Sequence, residues 1–267
     1  MPHIHPSSVI DDPSLLADDV RIGPGCIIQG RVGIGAGTRL LGHVFLVGPL
    51  TLGQRNTLYP NVALGFEPQD RKFDFGKAGT GTVIGDDNVL REGVTIHRAT
   101  GQRATTLGNR NMLMVNSHLG HDCLVDDDCT LANGALLGGH VEVQNNVTMG
   151  GNAAVHQFCR IGRLSMLSGV IAIVQDLPPF CVAYNTRSVG SLNIIGLRRA
   201  GYRDHVKPLQ KAFEIFFRQN HVRTYAVDLI RKQLGDDPLC LEFADFVATP
   251  SPRGVTGYRS TDVPEVF

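Results

Sequence analysis

Leu113-Met-Val-Asn-Ser-His-Leu-Gly-His-Asp-Cys-Leu-Val125 sets an aliphatic side chain at positions 113, 119 and 125, with two histidines, an aspartate and a cysteine between them. An interval of six fits neither the 3.6-residue period of a helix nor the alternation of a simple amphipathic strand. Towards the carboxy terminus the interval continues through Leu131, Leu137, Val143, Met149, Val155, Ile161, Leu167 and Ile173, and it begins at Leu107. Earlier in the chain it runs without a miss from Ile4 through Ile10, Leu16, Ile22, Ile28, Ile34, Leu40, Leu46, Leu52 and Leu58 to Leu64, and again through Ile84, Leu90 and Ile96. A hexad that supplies one short strand, one turn and one inward aliphatic residue is the unit of a parallel β-solenoid.

Two segments leave the register, 65–83 and the shorter Arg98-Ala-Thr-Gly-Gln-Arg103. Insertions of this kind are extruded as loops, which often carry binding residues. The repeat is expected to close at Asp176-Leu-Pro-Pro-Phe180, because consecutive prolines cannot donate to a ladder. Apolar groups then recur at helical spacing in Ala212-Phe-Glu-Ile-Phe-Phe217, Tyr225–Leu234 and Leu239–Val247. The expected organisation is an all-β solenoid over 1–190, a small α-helical domain of three or four helices over 191–248, and a loose tail over 249–267.

Composition narrows the function classes. Twenty-five basic residues balance twenty-five acidic ones, which argues against a general nucleic-acid binder. No apolar run is long enough for a membrane span, and the opening Met1-Pro-His-Ile-His-Pro6 lacks a signal pattern, so a cytoplasmic protein is expected. The six cysteines form no CxxC pair and read as small buried hydrophobes.

Three hexads make one coil, so residues 18 apart stack, with adjacent coils about 4.8 Å apart. Gly139 then lies on His121, Gln157 on Gly139 and His140 on Asp122, while His118 and His156 fall close to the same column. A glycine beside a histidine leaves room for a substrate, and its N–H could face a developing oxyanion. Solvated histidines on polar corners would give the same spacing. Two chemistries suit the cluster: a general base acting on a hydroxyl, or zinc ligation by histidines of neighbouring chains. Neighbouring residues of a hexad point different ways, so three ligands from His118-x-x-His121-x-Cys123 would not converge, and the base is preferred.

The hexad array resembles the UDP-N-acetylglucosamine O-acyltransferase family when it is taken with the loop Pro68-Gln-Asp-Arg-Lys72, Val94-Thr-Ile-His-Arg98 and His118-Leu-Gly-His-Asp-Cys123. Gly138-Gly-His140, Ala154-Val-His-Gln-Phe158 and Asn193-Ile-Ile-Gly-Leu-Arg-Arg199 extend the likeness. It covers about residues 1–220. The resemblance implies a left-handed parallel β-helix with a helical carboxy-terminal domain, a homotrimer with sites between subunits, and transfer of a 3-hydroxyacyl chain from acyl carrier protein to the 3-hydroxyl of UDP-GlcNAc, the first step of lipid A biosynthesis. It implies His121 as general base, Asp122 as its orienting partner and the Gly139 N–H as oxyanion donor. Asp70, Lys72, His118, His140, His156, Gln157, Asn193 and Arg199 would contact substrate. No metal or other cofactor is implied, because the acyl group arrives on the phosphopantetheine of the carrier.

This chain has Ile195 where the family often has an acidic residue and Ala200 where it often has arginine. Gly169 lies near the position associated with acyl length, and its missing side chain favours a longer chain unless it is only a turn glycine. An acidic carrier asks for cations, which Arg160, Arg163, Arg198, Arg199, Arg203, Lys207 and Lys211 offer at the join of solenoid and helices. Other acceptors and classes stay open: a 3-amino UDP-sugar, a glucosamine nitrogen, a zinc carbonic anhydrase on the same solenoid, or a non-catalytic scaffold.

Overall fold

The computed structural model describes residues 1–258. Its body is a three-sided parallel β-solenoid whose faces are sheets of eleven, nine and seven strands, beginning at His3–Ile4, Val9–Ile10 and Val32–Ile34 respectively. Most strands are two or three residues long, as one hexad allows. The inward residue of each is the aliphatic one of the repeat, and Leu113, Leu119, Leu131 and Ile173 are wholly buried. Each such side chain contributes about 1.5–3 kcal/mol by leaving water, and the coils add these contributions along one thin core.

Between strands the chain must turn sharply, and the second corner residue falls in the left-handed region at Asn116, Asp122, Asp128, His140, Asn146 and Asn152. Asparagine and aspartate tolerate that conformation best. The third corner holds a buried polar ladder. Asn56 Oδ1 accepts from the Asn88 N–H at 2.9 Å, Asn88 Oδ1 from the Asn111 N–H at 2.8 Å, and Asn111 Oδ1 from the Cys129 N–H at 2.8 Å. The steps of this ladder are 32, 23 and 18 residues. Both out-of-register segments are therefore loops, each rejoining the column it left.

The hexad register ends where expected, but the sheets do not all end with it. The seven-stranded sheet stops at Arg160–Ile161, whereas the eleven-stranded one continues through Cys181–Ala183, parallel to Met166–Leu167, and ends in the antiparallel strand Ser191–Leu192. The prolines interrupt one face only. Helices α1 (Ile194–Arg199), α2 (Val206–Phe217), α3 (Arg223–Leu234) and α4 (Pro238–Ala248) then cover the end of the core. Phe213 and Phe243 are buried, and Phe216 packs edge-on against Phe243 with ring centroids 5.7 Å apart.

The expected loose tail requires correction over 249–258. Val255 bridges Asp176, Tyr258 bridges Val189, and Thr256 is buried. These residues return to the solenoid because Asp176 and Val189 offer backbone groups that no further coil takes up. The remainder of that segment, 259–267, lies outside the described residues.

Candidate active site

His121 and Asp122 occupy the corner after strand His118–Leu119. Asp122 takes φ 60°, His140 on the next coil φ 60°, and Phe158 on the coil after that φ 65°. The last is unusual for such a side chain. The His140 N–H donates to the His121 carbonyl at 2.9 Å and the Phe158 N–H to the Gly139 carbonyl at 3.1 Å, which locks the corners into one backbone column. The rings follow the same column: His140 stacks on Phe158 at 4.5 Å and meets His121 edge-on at 5.1 Å.

The Asp122 carboxylate is only 8 % exposed. Its Oδ2 accepts from His121 Nδ1 at 2.7 Å and from the Thr100 N–H and hydroxyl at 3.0 and 2.7 Å, and its Oδ1 accepts from the Gly101 N–H at 2.9 Å. Burial alone would raise its pKa, but these hydrogen bonds outweigh burial and hold the carboxyl well below the usual carboxylate range. An ionised carboxylate only accepts, so the His121 proton sits on Nδ1 and the lone pair on Nε2. Nε2 lies over Gly139, where an added Cβ would come within 2.6 Å of it. Among the described residues nothing accepts from the Gly139 N–H.

The stacking of His121, Gly139 and Gln157 is thus as the sequence predicts, and Gly139 is glycine for space. Gly139→Ala is expected to lower kcat more than about tenfold by displacing the His121 ring, with a smaller effect on KM. Gly151→Ala is the control, since the nearest atom to its added Cβ is 3.5 Å away. Equal kinetics for the two variants would remove the steric argument.

A groove of about 670 Å³ runs past Nε2, where Leu136 and Ala154 stand in register with His118, and His156 and Gln157 complete the lining. His118 Nδ1 meets the Thr95 hydroxyl at 2.7 Å. Burial, reinforced by His97 and His121, pushes its pKa down to about 4, so it stays neutral. The sequence assigns no role to His97. It lines the groove, its ring is 4.9 Å from His118, and its buried Nδ1 has no partner among the described residues.

Asp70 and Lys72 stand apart. Asp70 Oδ1 accepts from the Lys72 N–H at 2.9 Å, Lys72 is exposed, and Gln69 is the residue by which their loop reaches the groove. The loop is tied down by the buried Arg98, whose Nη2 meets Glu67 Oε1 at 3.0 Å.

Asn193 and Arg199 line a second groove of about 820 Å³, between α1 and the eleven-stranded sheet. The Asn193 side chain caps α1, accepting from the Gly196 N–H and donating to the Leu164 carbonyl. Asparagine just before a helix is a start signal legible in sequence. Ile195 and Ala200 are exposed beside this groove. Of the expected cation cluster, Arg160 is bound to buried Asp176 at 2.7 Å and Arg163 to Glu242 at 2.7 Å, so both serve the join itself. Arg198, Arg199, Arg203, Lys207 and Lys211 are exposed. At Gly169 the following Val170 takes the left-handed φ of 59°, so the turn does not require glycine there.

His121, Asp122 and His140 offer ligand atoms within 4.8 Å of one another. Asp122 Oδ2 already takes three donors and Oδ1 one, and His121 directs its Nδ1 proton rather than a lone pair towards Oδ2. The donor set therefore suits a proton-accepting Nε2 better than a metal. Among the described residues no helix is long and apolar enough to cross a membrane.

A hexad solenoid with a carboxylate-backed histidine beside a groove fits a hexapeptide-repeat acyltransferase, and comparison with known proteins agrees. A family model described as UDP N-acetylglucosamine O-acyltransferase, Domain 2, matches residues 176–256. The acyl-[acyl-carrier-protein]–UDP-N-acetylglucosamine O-acyltransferase of Thermodesulfovibrio yellowstonii is 39 % identical over 96 % of this chain and 99 % of its own length, and that of Sinorhizobium fredii is 33 % identical over 95 % and 94 %. The solved UDP-N-acetylglucosamine O-acyltransferase of Moraxella catarrhalis superposes with a TM-score of 0.89 at 39 % identity, covering 95 % of this chain and 99 % of that one. The chain belongs to the UDP-N-acetylglucosamine O-acyltransferase family.

Proposed function

We propose that this chain transfers a 3-hydroxyacyl group from acyl carrier protein to the 3-hydroxyl of UDP-GlcNAc, as the first step of lipid A biosynthesis in the cytoplasm. The observation that carries the reading is the His121–Asp122 pair: Nδ1 is committed to an ionised carboxylate, which leaves the Nε2 lone pair facing the groove beside Gly139. Nε2 takes the proton of the sugar hydroxyl as its oxygen attacks the thioester carbon. The oxyanion forms against the Gly139 N–H. Collapse expels the pantetheine thiolate, which recovers the proton from Nε2. No covalent acyl-enzyme is needed, in keeping with cysteines buried throughout and thiols such as Cys123 pushed up to about 12 by burial.

His118, His140, His156 and Gln157 flank the reacting atoms, and the acyl chain runs along Leu136 and Ala154. Asp70 and Lys72 bind from the extruded loop, and Asn193 and Arg199 from the second groove. These groups do not meet within one chain, which supports a homotrimer in which neighbouring copies compose each site. The exposed cations of α1 and α2 meet the acidic carrier.

The test is acyl transfer to UDP-GlcNAc from 3-hydroxyacyl carrier proteins of several chain lengths, with and without a chelator. Transfer that a chelator leaves unchanged is the expected result. Loss with chelator would favour a metal at His121, Asp122 and His140, and transfer only to a 3-amino analogue would replace the acceptor.

A further inference from the structure

The backbone column through the active-site corners has to end somewhere. His140 N–H donates to the His121 carbonyl and Phe158 N–H to the Gly139 carbonyl, so the next donor in line to the Gln157 carbonyl would be the Asp176 N–H. That group is diverted. It donates to the Gly254 carbonyl at 2.8 Å, because the chain has left the hexad register for Leu177-Pro-Pro. Arg253 fills the gap, its Nε donating to the Gln157 carbonyl at 2.9 Å. Its Nη2 meets His156 Nδ1 and lies 3.4 Å from Nε2.

The segment that brings Arg253 there is itself fixed. The Thr256 N–H donates to the Asp176 carbonyl at 2.8 Å, and Gln175 Nε2 to the Arg253 carbonyl at 3.3 Å. At its far end Tyr258 packs among Phe213, Phe217 and Arg218.

We propose that Arg253 is a positioning residue of the substrate groove, which caps the column of turns carrying His121, Gly139 and Gln157 and holds the ring of His156 in place. The Gln157 carbonyl that takes the Arg253 Nε–H also lies 3.2 Å from His156 Nδ1, so guanidinium and imidazole are fixed about one backbone acceptor. Arginine suits the task because one planar group reaches both the carbonyl and the ring. The carboxy-terminal segment is then part of the site, although it contributes nothing to the repeat.

Only the kinetic arm of the test rests on the acyl-transfer reading. In the full chain, Arg253→Gln is expected to lower kcat about tenfold or more with the KM for UDP-GlcNAc changed less than about threefold, and Arg253→Lys to recover part of the loss. Nitrogen-detected spectra of the His156 ring should move in Arg253→Gln, and by less in Arg253→Lys. Those spectra need no turnover. A parent that transfers no acyl group would reject the proposed reaction and leave Arg253 to be judged by the spectra alone. If the glutamine variant does not fold, Arg253→Lys carries the test, because its single ammonium cannot serve both the carbonyl and the ring and should still move the His156 signals. Parent-like kcat in a folded Arg253→Gln, or unmoved His156 signals in the folded variants, would overturn the proposal.

Discussion

His121→Ala is expected to lower kcat by about 10²- to 10⁴-fold, a rise of roughly 3–5 kcal/mol in the barrier, with the thermal midpoint moved by no more than a few degrees. The size follows from what the variant removes. The Nε2 lone pair is the proton acceptor in the groove, and the neighbouring rings do not replace it: His118 is held neutral with Nδ1 engaged by Thr95, and His140 stacks on Phe158. The small effect on folding follows from the same geometry. The His121 side chain is 15 % exposed and makes one side-chain hydrogen bond, while Asp122 keeps its donors from Thr100 and Gly101. Steady-state kinetics beside a melting curve checks both halves. A kcat within about threefold of the parent would end the general-base assignment.

Asp176→Ala has the largest expected effect on stability, a loss of about 3–5 kcal/mol. Asp176 is fully buried, and its two carboxylate oxygens take the Arg160 N–H at 2.8 Å and the guanidinium at 2.9 and 2.7 Å. The same guanidinium reaches the Thr249 carbonyl and lies over the Phe246 ring at 4.6 Å. Solenoid, helices and carboxy-terminal segment therefore meet at one ion pair. Removing the carboxylate leaves the largely buried Arg160 guanidinium with no compensating charge, and the Arg160 N–H without its acceptor. Denaturant unfolding of the variant measures the loss, and the double variant Asp176→Leu with Arg160→Met should restore much of it. A single variant destabilised by less than about 1 kcal/mol would mean that the pair is not what joins the layers.

How far the sequence could be read depended on whether a feature shared the period of the repeat. The inward aliphatics, the corner at His121 and the stack of Gly139 and Gln157 upon it all follow from intervals of six and eighteen. Asp122 was legible as a partner of His121, but its depression was not, because Thr100 and Gly101 reach it across a segment that breaks the count. Arg253 was invisible for the same reason: it comes from an aperiodic stretch whose fold is dictated by backbone groups left open at Asp176. Arg160 and Arg163 look like free cations in sequence, and only the return of the helices shows their carboxylate partners. Asp70 and Lys72 lie in a loop whose path the repeat does not encode, and one chain alone leaves them apart from His121.

The asparagine ladder spans intervals of 32, 23 and 18 residues while stepping from coil to neighbouring coil each time. The scaffold thus counts coils and is indifferent to the length of chain between them, since closing a longer loop costs only slowly more. Rigid chemistry and variable recognition are in this way housed in separately editable parts. Residues 70–76 can lengthen, shorten or change charge while Glu67 still pairs with Arg98 and Thr80 still donates to the Gly101 carbonyl, so new acceptor preferences can be tried by descendants of this fold with little effect on the catalytic geometry.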